Sequence, residues 1–164
     1  MKGYTLLELL LILTLVALSF FLIVGLNQHL WIKNQIITTQ SILANIVQFS
    51  RNAALEEGHE VTLNAFKNSD DWSSGVLLFQ DNQVHQYTGD ETILHQWSFN
   101  LSPQIYVRWK GFQSDQYIVF SPNLRRSTSN GHFDIYHQGR LMSTLIVNRL
   151  GTTRIKESAH DKIH

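Results

Sequence analysis

The chain has 164 residues, enough for one ordinary domain and an accessory segment. It contains no cysteine, which excludes a disulfide framework and a thiolate metal site. Its formal net charge is zero, so bulk charge indicates no class of partner, and a hydrophobic content of 43% allows a core held by packing alone.

The N-terminus joins a short basic segment to a long apolar run. Lys2 precedes the run, which extends from Leu9 to Leu26. These 18 residues, at about 1.5 Å each, cover roughly 27 Å, enough to cross the hydrocarbon core of a bilayer. Because Lys2 lies on the N-terminal side of the apolar run, it favours a cytoplasmic N-terminus. We therefore expect a single transmembrane helix over residues 4–26, with the rest of the chain outside the inner membrane.

Glu8 lies just before this run and leaves several interpretations open. A secretory signal peptide would need a small-residue cleavage site after the apolar stretch, and residues 24–29 lack one. A membrane anchor that is never cleaved explains the length of the run. It does not explain Glu8, because a carboxylate near the start of a membrane helix is costly and usually has a function. Glu8 could also simply extend to the membrane interface.

The residues from Gly3 to Glu8 read Gly-Tyr-Thr-Leu-Leu-Glu and stand directly before the apolar run. This string resembles the leader junction of type IV prepilins. The resemblance implies a leader over residues 1–3, cleavage by a prepilin peptidase between Gly3 and Tyr4, and N-methylation of Tyr4. Most relatives carry phenylalanine at the position of Tyr4. The resemblance also implies that Glu8 pairs with the Tyr4 amine of a neighbouring subunit, which sets the axial register of a filament.

An amphipathic helical pattern continues beyond the apolar run. Its apolar residues recur at spacings near three, four and seven. They are Leu30, Ile36, Ile37, Leu43, Ile46, Val47, Ala53 and Ala54. Gly58 is the expected stop. The pattern predicts one long helix over Tyr4–Glu57, with a transmembrane or filament-core half (4–26), an amphipathic half (27–58) and a local break allowed at Gly25.

Short β-like runs separated by turn residues follow Gly58. They predict a β-rich periplasmic domain over residues 59–156 and a flexible polar tail over 157–164. The predicted strands are Glu60–Phe66, Gly75–Gln80, Val84–Tyr87, Ile93–Phe99, Ile105–Trp109, Tyr117–Phe120, Phe133–His137 and Leu141–Val147. The expected fold class is α+β, a type IV pilin-like fold in which a long N-terminal helix packs on an antiparallel β-sheet domain.

Three further segments carry a resemblance to one branch of the pilin-like proteins, which contains the H subunit of type II secretion systems (GspH) and the minor pilin FimT. Residues 71–79 look like the tryptophan–glycine–hydrophobic strand of that branch. Residues 120–123 look like its Phe-x-Pro-x-Gly turn, with Asn123 at the glycine position. Residues 146–154 look like its terminal strand and Gly-Arg-x-Arg ending. In that ending Gly151 and Arg154 match, and Thr152 replaces the first arginine.

The resemblance implies a minor pseudopilin or minor pilin, at the tip of a filament or at the start of its assembly. The filament is a type II secretion pseudopilus or a type IV pilus, and the sequence does not distinguish the two. Implied partners are other pilins or pseudopilins, the prepilin peptidase and an inner-membrane assembly platform. The subunit would lie in the bacterial inner membrane as a single-pass protein, with its globular domain in the periplasm, before it joins the filament.

Charge is distributed unevenly along the chain. Residues 56–100 contain eight acids and one base, whereas residues 125–156 contain six bases and one acid. The two regions are either solvated faces or an electrostatic docking surface. In FimT-like members a basic C-terminal loop is associated with DNA capture during natural transformation. A DNA-binding minor pilin is therefore the alternative function. Its candidate residues are Arg149, Arg154 and Lys156, with Arg125, Arg126 and Arg140.

No segment indicates catalysis. The eight histidines are scattered without metal-ligand spacing, and no nucleophile elbow, phosphate-binding loop or dinucleotide fingerprint is present. A membrane-anchored envelope enzyme would need a convergent set of polar residues, which the sequence does not indicate. We expect neither enzymatic activity nor a metal ion or cofactor.

Overall fold

The computed structural model describes residues 5–66, 70–123 and 125–157, apart from the side chains of residues 22–29 and 157. The predicted leader and most of the predicted tail lie outside these residues. Helix α1 (Leu6–Glu57) comes first, and eight strands follow it. They are β1 (Val61–Ala65), β2 (Gly75–Gln80), β3 (Ile93–Ser98), β4 (Ile105–Gly111), β5 (Tyr117–Phe120), β6 (Gly131–His137), β7 (Arg140–Val147) and β8 (Thr153–Glu157).

Helix α1 begins and ends at residues with the backbone features of helix caps. The Glu8 amide donates to the Thr5 hydroxyl at 3.3 Å and to the Thr5 carbonyl at 3.0 Å. Thr5 is therefore the N-cap of a Thr-x-x-Glu sequence, the pattern of a capping box. Gly58 has φ +72°, the left-handed conformation that ends many helices. The predicted end at Glu57 is confirmed, and the helix continues through Gly25 without a break.

The chain divides into two compact units, one ending at Ile37 and the other beginning at Thr38. In the first unit every large apolar side chain from Leu6 to Phe21 is exposed, with exposed fractions between 50% and 84%. Within the part of the chain whose side chains are described, no helix combines the length and apolarity expected of a membrane span.

In the second unit the last turns of α1 pack on the β-strands. Leu43, Ile46, Val47 and Ala54 form a buried stripe at helical spacing. The Gln40 side chain donates to the Ser143 hydroxyl on β7. Two other contacts reach β3 and the segment after β5: Phe49 packs edge-on against Trp97 of β3 at 5.3 Å, and Arg51 donates to the Ser121 carbonyl. This confirms the predicted α+β fold with a helix on antiparallel sheets.

The strands form two antiparallel sheets. The first has the order β3-β2-β1-β5, and the second has the order β4-β6-β7-β8. All five residues of β1 and the first five of β2 are buried, so both faces of the first sheet are covered at its centre. Since Phe49 contacts Trp97, α1 lies on one face. The loop between β2 and β3 covers the other, where Tyr87 packs on Phe79 at 5.6 Å.

The predicted strand Val84–Tyr87 is wrong, because this segment belongs to that covering loop. The Asn82 side chain accepts from the Val84 amide at 3.0 Å and donates to the Gln86 carbonyl at 2.8 Å. His85 has φ +57°, which lies in the left-handed region and outside the β region. A side-chain amide that binds nearby backbone groups offers them an alternative to pairing in a sheet.

The second sheet holds the aromatic core. Trp109 of β4 and Phe133 of β6 have ring centroids 4.7 Å apart, and Trp72 packs on Phe133 at 5.4 Å; all three side chains are fully buried. The Trp72 amide donates to the Val107 carbonyl of β4 at 3.0 Å, and this bond holds Trp72 beside the core. Gly75 then starts β2 with φ +136°, at a point where a Cβ atom would lie 2.3 Å from the Trp97 carbonyl oxygen. The Trp-Ser-Ser-Gly segment thus links the two sheets.

Glu91 holds the end of the covering loop, and its hydrogen bonds predict that the stability of the fold depends on pH. Its carboxylate accepts from the Thr88 hydroxyl at 2.7 Å and the Thr88 amide at 2.9 Å, and these bonds lower its pKa to about 2. Because the folded state holds the ionised form, this contribution to stability is complete above the ordinary pKa of 4.5. It is lost as the pH falls towards 2. We expect NMR titration of the Glu91 carboxyl to show the low pKa; an ordinary value would contradict the bonding.

Candidate functional site

The residues predicted for processing and filament register lie at the start of the chain. Gly3 and Tyr4 are outside the described residues, so the cleavage site stays a prediction. Glu8 is exposed in the first turn of α1. Its backbone amide is engaged by Thr5, and its side chain reaches solvent. A carboxylate in the first helical turn also interacts favourably with the helix dipole.

Three of the predicted DNA-binding cations lie before the β7–β8 turn. Arg125 and Arg126 lie in the loop after β5, where the Arg126 guanidinium is 3.8 Å from Glu60. Arg140 begins β7 and pairs with His137 across the β6–β7 turn. About 20 Å of extended strand separates Arg140 from Ile146 near the other end of β7. Arg140 is therefore at the opposite end of β7 from Arg154, whereas the loop that carries Arg125 and Arg126 meets the β7–β8 turn at Ser129, which donates to the Asn148 and Arg149 carbonyls.

Arg149 lies in the turn between β7 and β8. The Asn148 side chain accepts from the Leu150 amide at 3.0 Å and from the Thr152 amide at 2.9 Å. Gly151 has φ +77°, and a Cβ atom there would lie 3.3 Å from the Arg51 side chain. Asn148 and Gly151 therefore define a fixed turn, and its geometry leads directly into β8.

Arg154 and Lys156 lie on strand β8. The resemblance to FimT-like proteins predicts a basic loop at these residues. In the register of β7 and β8, Arg154 is opposite Ile146 and Lys156 is opposite Thr144. Between them Ile155 is opposite Leu145, which is fully buried. Because side chains alternate along a strand, the two cations share the outer face of the second sheet.

Two further cations share that outer face. On β4 the buried side chains of Val107 and Trp109 alternate with Arg108 and Lys110. The register across the sheet gives two parallel rows of side chains. One row is Arg108, Asp134, Thr144 and Lys156, and the other is Lys110, His132, Ile146 and Arg154. We call Arg108, Lys110, Arg154 and Lys156 the basic face, since they stand at the four corners of these rows.

Asp134 is the one carboxylate within the rows, and it is nearly fully buried. It accepts from the Thr144 hydroxyl at 2.8 Å and from the Tyr136 hydroxyl at 3.3 Å. Lys110 and His132 approach it at 4.0 and 3.6 Å. Burial, together with the nearby Asp134 carboxylate, raises the pKa of Tyr136. The basic face therefore has four formal cations around one internally bonded anion.

A polar cleft of about 770 Å³ lies elsewhere in the second unit, lined by Glu60, Asp81, His85, Arg126 and neighbouring residues. Asp81 and His85 are 2.8 Å apart. Among the described residues, no three His, Asp or Glu side chains are close enough together to hold a metal ion.

Comparison with known proteins identifies the family. A family model described as Type II transport protein GspH matches residues 41–151. Two crystal structures of the type IV minor pilin FimU from Pseudomonas aeruginosa share the fold. The first matches with a TM-score of 0.57 and 16% identity, covering 79% of this chain and 92% of that one. The second matches with a TM-score of 0.52 and 16% identity, covering 76% and 94%. A search of curated proteins found no match.

The family match covers most of the second unit, from the buried turns of α1 to the turn before β8. It therefore agrees with the resemblance read from the sequence motifs. The low identity to FimU limits that likeness to the fold. This chain belongs to the GspH family of type II transport proteins, and its fold is that of a type IV pilin-like protein.

Proposed function

We propose that this protein is a minor pseudopilin or minor pilin, a structural subunit at the tip or start of a type II secretion pseudopilus or type IV pilus. The observation that carries the proposal is the exposed apolar segment from Leu6 to Phe21. The helix that contains this segment continues into the region that matches the GspH family model. An apolar surface of this extent is unfavourable in water. A lipid bilayer covers it before assembly, and neighbouring helices cover it in the filament.

The order of events follows from the N-terminal residues. A prepilin peptidase removes residues 1–3 on the cytoplasmic side and exposes the amine of Tyr4, which is then methylated. The subunit stays in the inner membrane with its globular domain in the periplasm until the assembly platform delivers it to the filament. There Glu8 pairs with the Tyr4 amine of a neighbour. Such a pair offsets the burial of both charges and fixes the axial position of the subunit.

A Glu8→Gln variant tests this role because glutamine also suits the third helical position of a capping box. The substitution therefore keeps the helix start and removes only the charge. We expect incorporation into filaments to fall about tenfold or more, since a buried charge left without its partner costs about 3–5 kcal/mol. Immunoblotting of sheared filaments measures the incorporation.

The matched control is Glu56→Gln, which removes an exposed carboxylate near the other end of α1. This variant is expected to assemble like the parent protein. Normal assembly of the Glu8→Gln variant would show that no ion pair at this position sets the register.

A DNA-binding minor pilin is the second candidate function. The observation that favours it is the exposure of Arg154 and Lys156 on one face of an edge strand. Cations of this kind bind phosphates without reading base sequence. Affinity for DNA that falls steeply with salt would support this function, and a full-length protein that shifts no DNA at about 50 mM salt would exclude it.

A further inference from the structure

We infer that the DNA-binding surface is the whole basic face, with Arg108 and Lys110 of β4 contributing as much as Arg154 and Lys156 of β8. This inference rests on the second candidate function. It adds two cations that lie about 45 residues away in sequence. It leaves out Arg125, Arg126, Arg140 and Arg149.

The sheet fixes the spacing of the four cations. Within each pair, two residues of extended strand separate the side chains by about 6.7 Å. Three interstrand spacings separate β4 from β8, so the pairs are about 14 Å apart. The major groove of duplex DNA is about 12 Å wide. Two cation pairs at this distance, on long side chains, can contact the phosphates on both sides of one groove.

Three cations of the basic face, Lys110, Arg154 and Lys156, are exposed to an anion, and Arg108 is half-buried. Among the described side chains, only Lys110 has an acidic partner, and it is Asp134 at 4.0 Å. The Lys110 side chain is 46% exposed. The Arg108 Nε atom is buried and has no hydrogen-bond partner among the residues that the structure describes. Thr144 and Ile146 add no charge at the centre. Asp134 offsets one of the four positive charges, so the face has three net positive charges.

Sequence-independent binding follows from this arrangement. The long side chains at the corners reach phosphates, whereas the short side chains at the centre offer few groups for the edges of bases. An acidic protein surface is the competing ligand, since it presents the same charge. Its carboxylates lack the regular two-sided spacing of a groove.

The test compares variants of the full-length chain in mild detergent, using a mobility shift with duplex DNA across a salt series. We expect Arg108→Gln/Lys110→Gln and Arg154→Gln/Lys156→Gln each to weaken binding about tenfold at about 50 mM salt. Each should make the negative slope of log affinity against log salt less steep by about two, because two phosphate contacts are lost. The control Arg125→Gln/Arg140→Gln removes the same charge elsewhere and should bind as the parent does.

Asp134→Asn tests the same face independently, because this variant is expected to raise DNA affinity and not to lower it. Asparagine keeps the size and one acceptor oxygen but removes the anion from the centre of the face. We expect DNA affinity to rise about twofold, because the removed negative charge repels phosphates but is partly offset by Lys110 and His132. Circular dichroism of each variant verifies that the fold is retained.

The outcomes separate the two claims. If the parent protein binds no DNA, both DNA binding and this surface are excluded. If only Arg154→Gln/Lys156→Gln weakens binding, DNA binding stands and the shared face is wrong. Equal loss in the Arg125→Gln/Arg140→Gln control would also overturn it. Equal affinity for polyglutamate and DNA would replace the nucleic acid with an acidic protein surface.

Discussion

A Gly3→Leu variant is expected to keep its first three residues in cells that contain a prepilin peptidase, whereas the parent protein loses them. The expectation comes from the resemblance of the Gly3–Glu8 string to a prepilin junction. A branched side chain before the cleaved bond would block an active site that accepts glycine there. Because an uncleaved leader keeps the Tyr4 amine in a peptide bond, the variant should also fail to enter filaments.

Intact-mass spectrometry of the membrane fraction measures the processing directly. Gly25→Leu is the matched control, since it makes the same substitution later in the apolar run, and it should be cleaved normally. A parent protein that retains Met1 to Gly3 would establish an ordinary membrane anchor in place of a prepilin. Cleavage of the Gly3→Leu variant would place the processing site elsewhere.

Trp109→Ala is expected to lower the free energy of unfolding by about 3–5 kcal/mol. The ring is fully buried between Trp72 and Phe133, and its indole nitrogen donates to the Ser114 carbonyl at 3.0 Å. The substitution leaves a cavity in the second sheet and an acceptor without its donor. Thermal unfolding followed by circular dichroism should show a fall in Tm of about 10 °C.

Phe112→Ala is the control for this prediction, because Phe112 is three residues away and 82% exposed. Its effect should stay within about 0.5 kcal/mol. A Trp109→Ala variant as stable as this control would mean that the three-ring cluster is not the core of the second sheet.

The sequence predicts strands of two kinds: the continuously buried strands β1 and β2, and strands whose side chains alternate between buried and exposed. β4 shows this pattern, and its buried residues Ile105, Val107 and Trp109 mark the inner face. The Val84–Tyr87 segment has strand-forming residues, but Asn82 binds its backbone and Tyr87 packs on the first sheet. Tertiary contacts of this kind override local preference. The sequence does not predict β8, because the pairing of this strand depends on the turn at Asn148.

The candidate surface could be predicted only in part. Alternation along β4 and β8 places each pair of cations on one side of its own strand. That the two pairs share a sheet follows from the order β4-β6-β7-β8, in which β5 joins the other sheet. No local pattern in the sequence determines that order. The Thr5-x-x-Glu8 capping pattern, in contrast, is local and can be recognised in the sequence alone.

The cap at Thr5 allows one short segment to serve two stages in the life of the subunit. The hydrogen bonds that Glu8 and Leu9 make to Thr5 join residues after the proposed cut, so removal of the leader breaks none of them. The backbone of Glu8 stabilises the helix, while its carboxylate stays available for another chain. A newly trimmed subunit would therefore leave the peptidase with its first turn already formed, ready to present both charges of the proposed pair.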